Sequence, residues 1–223
     1  MICIIPARKN SKGLKFKNRK KINKLSLVNN ALKSALKSKE IKSIILTTDD
    51  DYLIKNSIKS KNIIINKRPA RLALDTSSAL NVYFYCLKKY EKNLSKKTSF
   101  CVFLPTSPFR NINLIDKAIK LFKKKSLNFL ISVERTRPIE FTFKKDKRNF
   151  MQKIKGVKWS TKNRQKLQNC FQPNGNLYVF NYLKLKKLKT FMTEETYCYE
   201  MEKKYSFDID NKEDFDLARK LSK

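Results

Sequence analysis

Over the first 130 residues, short apolar runs alternate with amphipathic stretches. Ile2-Cys3-Ile4-Ile5, Ile44-Ile45-Leu46, Ile63-Ile64-Ile65, Cys101-Val102-Phe103-Leu104 and Phe129-Leu130-Ile131 are unbroken hydrophobic segments bounded by polar residues. Runs this short read as strands buried on both faces. Between them, residues 25–36, 52–58, 77–90 and 114–122 carry apolar side chains at helical spacing. The alternation predicts an α/β fold, a mostly parallel sheet sandwiched between helix layers with right-handed crossovers. After Val133 the pattern loosens. Residues 134–172 are polar, basic and weakly periodic around a single tryptophan, Trp159, and predict an inserted subdomain or dimerisation arm. Order returns in Asn176-Leu177-Tyr178-Val179-Phe180, a strand, and in a last helix over 212–221 capped by Asp210 or Asn211. Residues 1–223 read as one domain without internal repeats.

Composition narrows the chemistry. There is no histidine, which excludes Ser-His-Asp triads, Cys-His dyads, His-ligated zinc and His general bases. Three glycines cannot supply the dinucleotide G-x-G-x-x-G or the phosphate-binding G-x-x-x-x-G-K-[ST] pattern at the required places. Five cysteines with no C-x-x-C spacing support neither a zinc ribbon nor a complete disulfide framework. With no apolar run long enough to span a bilayer and no secretory leader pattern, the expected setting is cytoplasmic, soluble and away from membranes.

The net charge of +33 invites a nucleic-acid reading, yet 42 of the 52 basic residues are Lys, beside 20 Asn and 19 Ile. Lys, Asn and Ile share AT-rich codons, so codon drift explains the excess without a nucleic-acid partner. Distribution carries more information. Residues 1–39 hold 12 basic residues and no acid, as do residues 147–193, whereas nine of the 19 acids fall between Glu194 and Asp216. Those basic stretches would draw a polyanionic ligand.

In an open α/β sheet, ligands bind beyond the carboxyl ends of the strands. The first strand runs into Pro6-Ala7-Arg8-Lys9-Asn10-Ser11-Lys12-Gly13-Leu14-Lys15-Phe16-Lys17-Asn18, where a tight turn amid cations makes an anion nest suited to a triphosphate. A second glycine lies in Gln172-Pro173-Asn174-Gly175-Asn176. In so glycine-poor a chain, both positions imply tight backbone requirements. Phe207-Asp208-Ile209-Asp210 alternates carboxylates on an extended segment and places both on one face. Mg²⁺ held by one or two carboxylates plus phosphate oxygens matches that arrangement.

Taken in order, I-P-A-R-K-N-S-K-G-L and K-N, L-T-T-D, R-P-A-x-L-A-x-D-T-S, P-T-S-P-F-R, P-N-G-N-L-Y and S-F-D-I-D-N-K-E-D-F resemble the acylneuraminate cytidylyltransferase (CMP-sialic acid synthetase) family over nearly the whole chain. The resemblance implies a Rossmann-like nucleotidyltransferase fold, a three-layer sandwich, and a usually homodimeric enzyme whose inserted arm reaches the neighbouring sugar site. It implies transfer of CMP from CTP to the anomeric hydroxyl of a nine-carbon keto-sugar acid, with Mg²⁺ and release of pyrophosphate. Carried across, Arg8, Ser11, Lys12, Lys17 and Asn18 would hold the phosphates and ribose, and Arg68, Thr76 and Ser77 the cytosine. Asp208 and Asp210 would hold Mg²⁺ and, with Arg8, Lys12 and Lys17, form the catalytic set. Asn174, Tyr178, Phe191 and Arg164 would face the sugar, Arg164 across a dimer.

Two departures fall on the sugar side. Leu104 stands where sialate enzymes usually have Gln before P-T-S-P, and Gln172 where they have Arg before P-N-G. A related acceptor such as legionaminate or pseudaminate is therefore an alternative. A reading from another class, a basic RNA-binding protein on an inactive transferase scaffold, is opposed by the intact D-x-D and phosphate loop.

Overall fold

The first strand, β1 (Ile2–Pro6), leads through a hairpin, β2 (Lys21–Ile22) and β3 (Leu25–Ser26), into α1 (Leu27–Lys37). Then follow β4 (Ser43–Thr48), α2 (Asp51–Asn56), β5 (Ile63–Lys67), α3 (Ala79–Lys88), β6 (Ser99–Val102), α4 (Ile112–Lys124) and β7 (Phe129–Thr136). A small hairpin of β8 (Lys144–Lys145) and β9 (Met151–Gln152) precedes β10 (Cys170–Asn181), α5 (Tyr182–Leu188), β11 (Thr196–Glu200) and α6 (Lys212–Leu221). This computed structural model describes residues 1–88 and 98–222.

The central sheet has the order β11-β7-β10-β6-β1-β4-β5. All its strands are parallel except β10, which runs antiparallel to both neighbours. Alternating residues serve the two faces, as the pleat demands. Cys3, Ile5, Leu46, Cys101, Leu130 and Val179 pack against Val28, Leu32, Ile115 and Phe122 of α1 and α4. Ile4, Ile45, Phe100, Val102, Phe129 and Phe180 pack against Val82, Cys86 and Leu185 of α3 and α5. Burial of each large side chain contributes about 1.5–3 kcal/mol, so the continuous apolar runs follow from a sheet covered on both sides.

The predicted α/β architecture holds, with local corrections. The Ile63–Ile65 strand is not buried on both faces: β5 is the sheet edge, and Ile64 is exposed. The helix expected over 77–90 begins at Ala79, and the end of that expectation lies outside the described residues. Helix α6 is capped by Asn211, which accepts from the Asp214 amide while the Asp214 carboxylate accepts from the Asn211 amide. Asp210 is thereby left clear of capping by its side chain.

The segment expected as an arm starts as sheet. Strands β7 and β10 continue past the body as an antiparallel ribbon pairing Thr136 with Cys170 and Glu134 with Gln172. Residues 137–169 lie between its strands and carry the β8–β9 hairpin. The indole N–H of Trp159 donates to the Thr142 carbonyl at 3.3 Å, and Phe143, Phe150, Met151 and Trp159 are exposed there.

From β1 the chain winds outward to β4 and β5, then returns to place β6 on the other side of β1. Such a reversal opens a crevice at the carboxyl ends of β1 and β6, where ligands of open α/β sheets sit.

Candidate active site

A cleft of about 600 Å³ occupies that crevice. It gathers Arg8, Ser11, Lys12, Lys17, Asn18, Arg68, Ser77, Leu104 and Asp210 from segments far apart in sequence, with Leu72, Val82 and Tyr83 as an apolar wall. Thr76 is not among the lining residues. Asn18 is buried on the short 3₁₀ turn Lys17–Arg19. Its amide donates to the Arg8 carbonyl at 2.9 Å, while its Oδ1 is buried without a partner. Arg68 donates from Nη2 to the Thr47 carbonyl at 2.9 Å, and its buried Nε likewise has no partner. Burial pushes the Arg68 guanidinium pKa down. Buried polar atoms are nearly always satisfied, and this cleft holds one orphan acceptor and one orphan donor, while Ser57, Glu140 and Asn176 carry others outside it.

The carboxylate segment lies directly against the loop after β1. Ile209 is fully buried and its amide donates to the Thr106 carbonyl at 3.0 Å, which anchors the segment between its two acids. Lys17 Nζ donates to the Ile209 carbonyl at 2.7 Å and lies 3.4 Å from Asp210 Oδ1. Asp208 is exposed as a residue, yet desolvation of its carboxyl raises its pKa; a hydrogen bond with Thr106 and the charge of Lys17 oppose the rise, and the Asp210 charge adds to it. A desolvated carboxylate beside a second one is a favourable seat for a cation. Among the described residues no group of three or more His, Cys, Asp or Glu could hold a metal ion. Asp210 lines the cleft and Asp208 does not; two carboxylates of one segment are the donor type that Mg²⁺ takes beside water and phosphate oxygens.

Both informative glycines are explained here. A Cβ on Gly13 would overlap the Asp210 carbonyl oxygen, so only glycine lets the phosphate loop lie against the carboxylate segment. Gly175 has φ +71°, and a Cβ there would come within 2.9 Å of Ser107 Oγ and 3.7 Å of Asp208 Oδ2.

The residues expected on the sugar side are placed unevenly. Leu104 lines the cleft. Tyr178 packs edge-on against Phe191, ring centroids 5.7 Å apart; burial, then the Asp208 charge, raises its phenol pKa. Asn174 is turned inward: its Oδ1 accepts from Ser132 Oγ at 2.6 Å and its Nδ2 donates to Ser206 Oγ at 2.9 Å. Its side chain thus supports the bulge around Gly175 instead of facing the cleft. Gln172 donates to Glu134 Oε1 at 3.0 Å on the ribbon, and Arg164 sits on a 3₁₀ turn between the ribbon strands, so neither lines the cleft of this chain.

Two charged residues escaped the sequence reading. Asp75 pairs with both Arg8 and Lys12, the latter at 3.2 Å, and bridges the phosphate loop to the segment before α3. Arg110 is half-buried over the Phe103 ring and donates to the carbonyls of Asn176 at 3.1 Å, Ser107 at 2.7 Å and Leu104. Burial draws its pKa down to about 10. Both lie in motifs already singled out, but their partners are fixed by the fold and have no signature in spacing.

The cytidylyltransferase family model matches residues 2–223. This chain belongs to that family. It is 30% identical over 182 residues to post-translational flagellin modification protein B of Campylobacter coli, covering 81% of this chain and 77% of that protein. It is also 30% identical over 207 residues to the N-acylneuraminate cytidylyltransferase of Escherichia coli O18:K1:H7, covering 91% of this chain. The chain spans about half the length of that relative, 47%. A third relative, the CMP-N,N'-diacetyllegionaminic acid synthase of Campylobacter jejuni, is 30% identical over 184 residues, covering 81% of this chain and 77% of that protein. The fold resembles a CMP:2-keto-3-deoxy-manno-octonic acid synthetase complexed with CTP, with TM-score 0.69, 12% identity, and coverage of 99% of this chain and 97% of that one. The cleft at the sheet reversal is thus the candidate active site of a cytidylyltransferase.

Proposed function

We propose that this cytidylyltransferase transfers CMP from CTP to the anomeric hydroxyl of a nine-carbon keto-sugar acid, an N-acylneuraminate or a relative, and releases pyrophosphate with Mg²⁺. One observation carries the reading: Arg8, Lys12 and Lys17 line the same cleft as Asp210, with the orphan polar atoms of Asn18 and Arg68 beside them. In the attack on the α-phosphate, charge builds on phosphate oxygens and on departing pyrophosphate, and positioned cations stabilise it without covalent chemistry from the protein. Arg8, Lys12 and Lys17 would hold the triphosphate, Arg68 and Ser77 the base, and Tyr178 with Phe191 the sugar. Mg²⁺ bound by Asp208 and Asp210 would neutralise phosphate charge. With no His in the chain, the proton of the attacking hydroxyl would pass to a carboxylate of this segment.

The acceptor is open to a second reading, favoured by two observations. Leu104 gives the cleft an apolar wall, and Gln172 is tied to Glu134. An acceptor such as legionaminate suits a site without the usual Gln and Arg. We further propose a cytoplasmic homodimer formed through residues 134–172, supported by the exposed aromatic side chains of that segment. No helix among the described residues is long and apolar enough to cross a membrane.

The test is pyrophosphate release by the purified protein with CTP and Mg²⁺, with N-acetylneuraminate, legionaminate and pseudaminate supplied in parallel. Release with any of these sugars and CTP upholds the reaction. Release with none of them, or an equal rate with other nucleoside triphosphates, sinks it.

A further inference from the structure

The last residue of the L-T-T-D motif, Asp49, and its neighbour Asp50 hold the two ends of the phosphate loop. At its entrance, the Lys9 amide donates to Asp49 Oδ1 at 2.8 Å. At its exit, Arg19 grips Asp50 through two parallel bonds, Nε to Oδ2 at 2.7 Å and Nη2 to Oδ1 at 2.6 Å. The Asp50 side chain is 1% exposed. It is also locked from its own side, for Oδ1 accepts from the Tyr52 amide at 3.0 Å at the start of α2.

The guanidinium of Arg19 is held on its faces as well. It lies 4.3 Å from the Phe16 ring centroid and 4.8 Å from that of Tyr52. A planar guanidinium gripped at its edge by a carboxylate fork and at its faces by aromatic rings has little freedom left, and Lys cannot reproduce either contact. Between Phe16 and Arg19 lie Lys17 and Asn18, the two residues that this turn delivers to the cleft. Phe16 itself adopts the left-handed region, φ 53° and ψ 36°, which is unfavourable for a bulky side chain and persists only where its surroundings enforce it. Arg19 does not line the cleft. Its contacts supply that enforcement.

We infer that Arg19 and Asp50 form a positioning pair that fixes the turn presenting Lys17 and Asn18 to the nucleotide. The inference rests on the nucleotide reading of the cleft. Loss of the pair frees Phe16 from the left-handed region and lets the Lys17 ammonium and the Asn18 amide drift from the phosphates. Misplacement of that kind, at a distance from the chemistry, weakens rate by roughly ten- to a hundredfold. It acts on CTP and not on the acceptor, whose expected contacts, Leu104, Tyr178 and Phe191, lie on other segments.

The experiment measures CTP affinity by calorimetry without acceptor, and KM for CTP and for the sugar acid, in the wild type, Arg19→Met, Arg19→Lys, Asp50→Asn and the double variant Arg19→Met/Asp50→Asn. The expected result is CTP binding weakened about tenfold or more in Arg19→Met, with acceptor KM within about twofold of wild type. Arg19→Lys keeps the charge, loses the fork and falls between. The double variant is no worse than the poorer single one, because the second change has nothing further to break. Should Arg19→Met fail to fold, Arg19→Lys carries the same comparison. Undiminished CTP affinity in the folded Arg19 variants, or additive losses in the double variant, overturns the pair. A wild type that binds no CTP overturns the nucleotide reading itself, an outcome distinct from the other two.

Discussion

Gly13 touches the backbone of Asp210 closely enough that a methyl group at position 13 would overlap the Asp210 carbonyl oxygen. The phosphate loop and the carboxylate segment, nearly 200 residues apart in the chain, are therefore one rigid wall. Gly13→Ala forces backbone from backbone, a displacement that overpacking data put at roughly 1–3 kcal/mol. The expected outcome is a lower midpoint of thermal unfolding together with a loss of pyrophosphate release. An alanine variant as active and as stable as wild type would mean that the two segments separate freely.

Asp208 and Asp210 differ in their partners, and their substitutions should differ in effect. Both are exposed, but Asp208 is hydrogen-bonded to Thr106 whereas Asp210, its side chain 78% exposed, lies beside Lys17. Asp208→Asn is expected to lower turnover by at least about a hundredfold, Asp210→Asn by less, and each to raise the Mg²⁺ concentration needed for half-maximal rate. Chelation with EDTA should abolish turnover and added Mg²⁺ restore it. Unchanged kinetics in both variants would remove the metal role from this segment.

Asp75 pairs with Arg8 and Lys12, the two cations proposed to hold the triphosphate. Hydrogen bonds from Lys12 and Arg8 hold its carboxyl below the usual aspartate range. A depressed folded-state pKa stabilises above the unfolded value and is lost as pH falls through the folded one, so the bridge is closed at neutral pH and opens only in acid. Asp75→Asn is therefore expected to lower KM for CTP by about two- to fivefold at pH 7, in line with an exposed ion pair. Titration of CTP at fixed acceptor checks this; a higher KM would make Asp75 a ligand of the nucleotide instead of its competitor.

Leu104 and Gln172 offer the simplest route to the acceptor. Leu104→Gln with Gln172→Arg restores the residues usual in sialate enzymes, and the pair is expected to shift kcat/KM toward N-acetylneuraminate by about tenfold, the scale of a gained charged hydrogen bond. Parallel assays with the three sugars measure the shift. No change in preference would clear both positions of a role in acceptor choice.

The parts of this site visible in the sequence were those in which residue type alone carries the signal. Two glycines in a chain with only three marked two close backbone approaches, and alternating acids at 208 and 210 marked one face of an extended segment. Unbroken apolar runs marked the inner strands because both of their faces are covered. Where one face is open, the signal faded. The outer end of β10, Cys170 to Gln172, is ribbon and reads as polar arm, while Thr196-Tyr197-Cys198-Tyr199-Glu200 and the Lys-rich α5 carry no strand or helix signal of that kind. Ion pairs such as Arg8 with Asp75 join residues 67 apart, and their partnership exists only once the strands have assembled.

Strand β10 has a consequence for how the protein is born. It is inserted between β6 and β7 and closes the sheet only after residues 170–181 have been made, and Asp208 and Asp210 follow later still. Translation makes the amino-terminal segments first, while a domain folds as a unit. A ribosome-bound chain therefore carries its basic loop, with Asp49, Asp50 and Asp75 to pair with it, long before Asp208 and Asp210 exist. During that interval the loop has neither Ile209 nor Asp210 to receive Lys17. On the proposed mechanism, competence to consume CTP arrives only once residues 208–210 have been made, and a nascent chain stalled before them is expected to be catalytically silent.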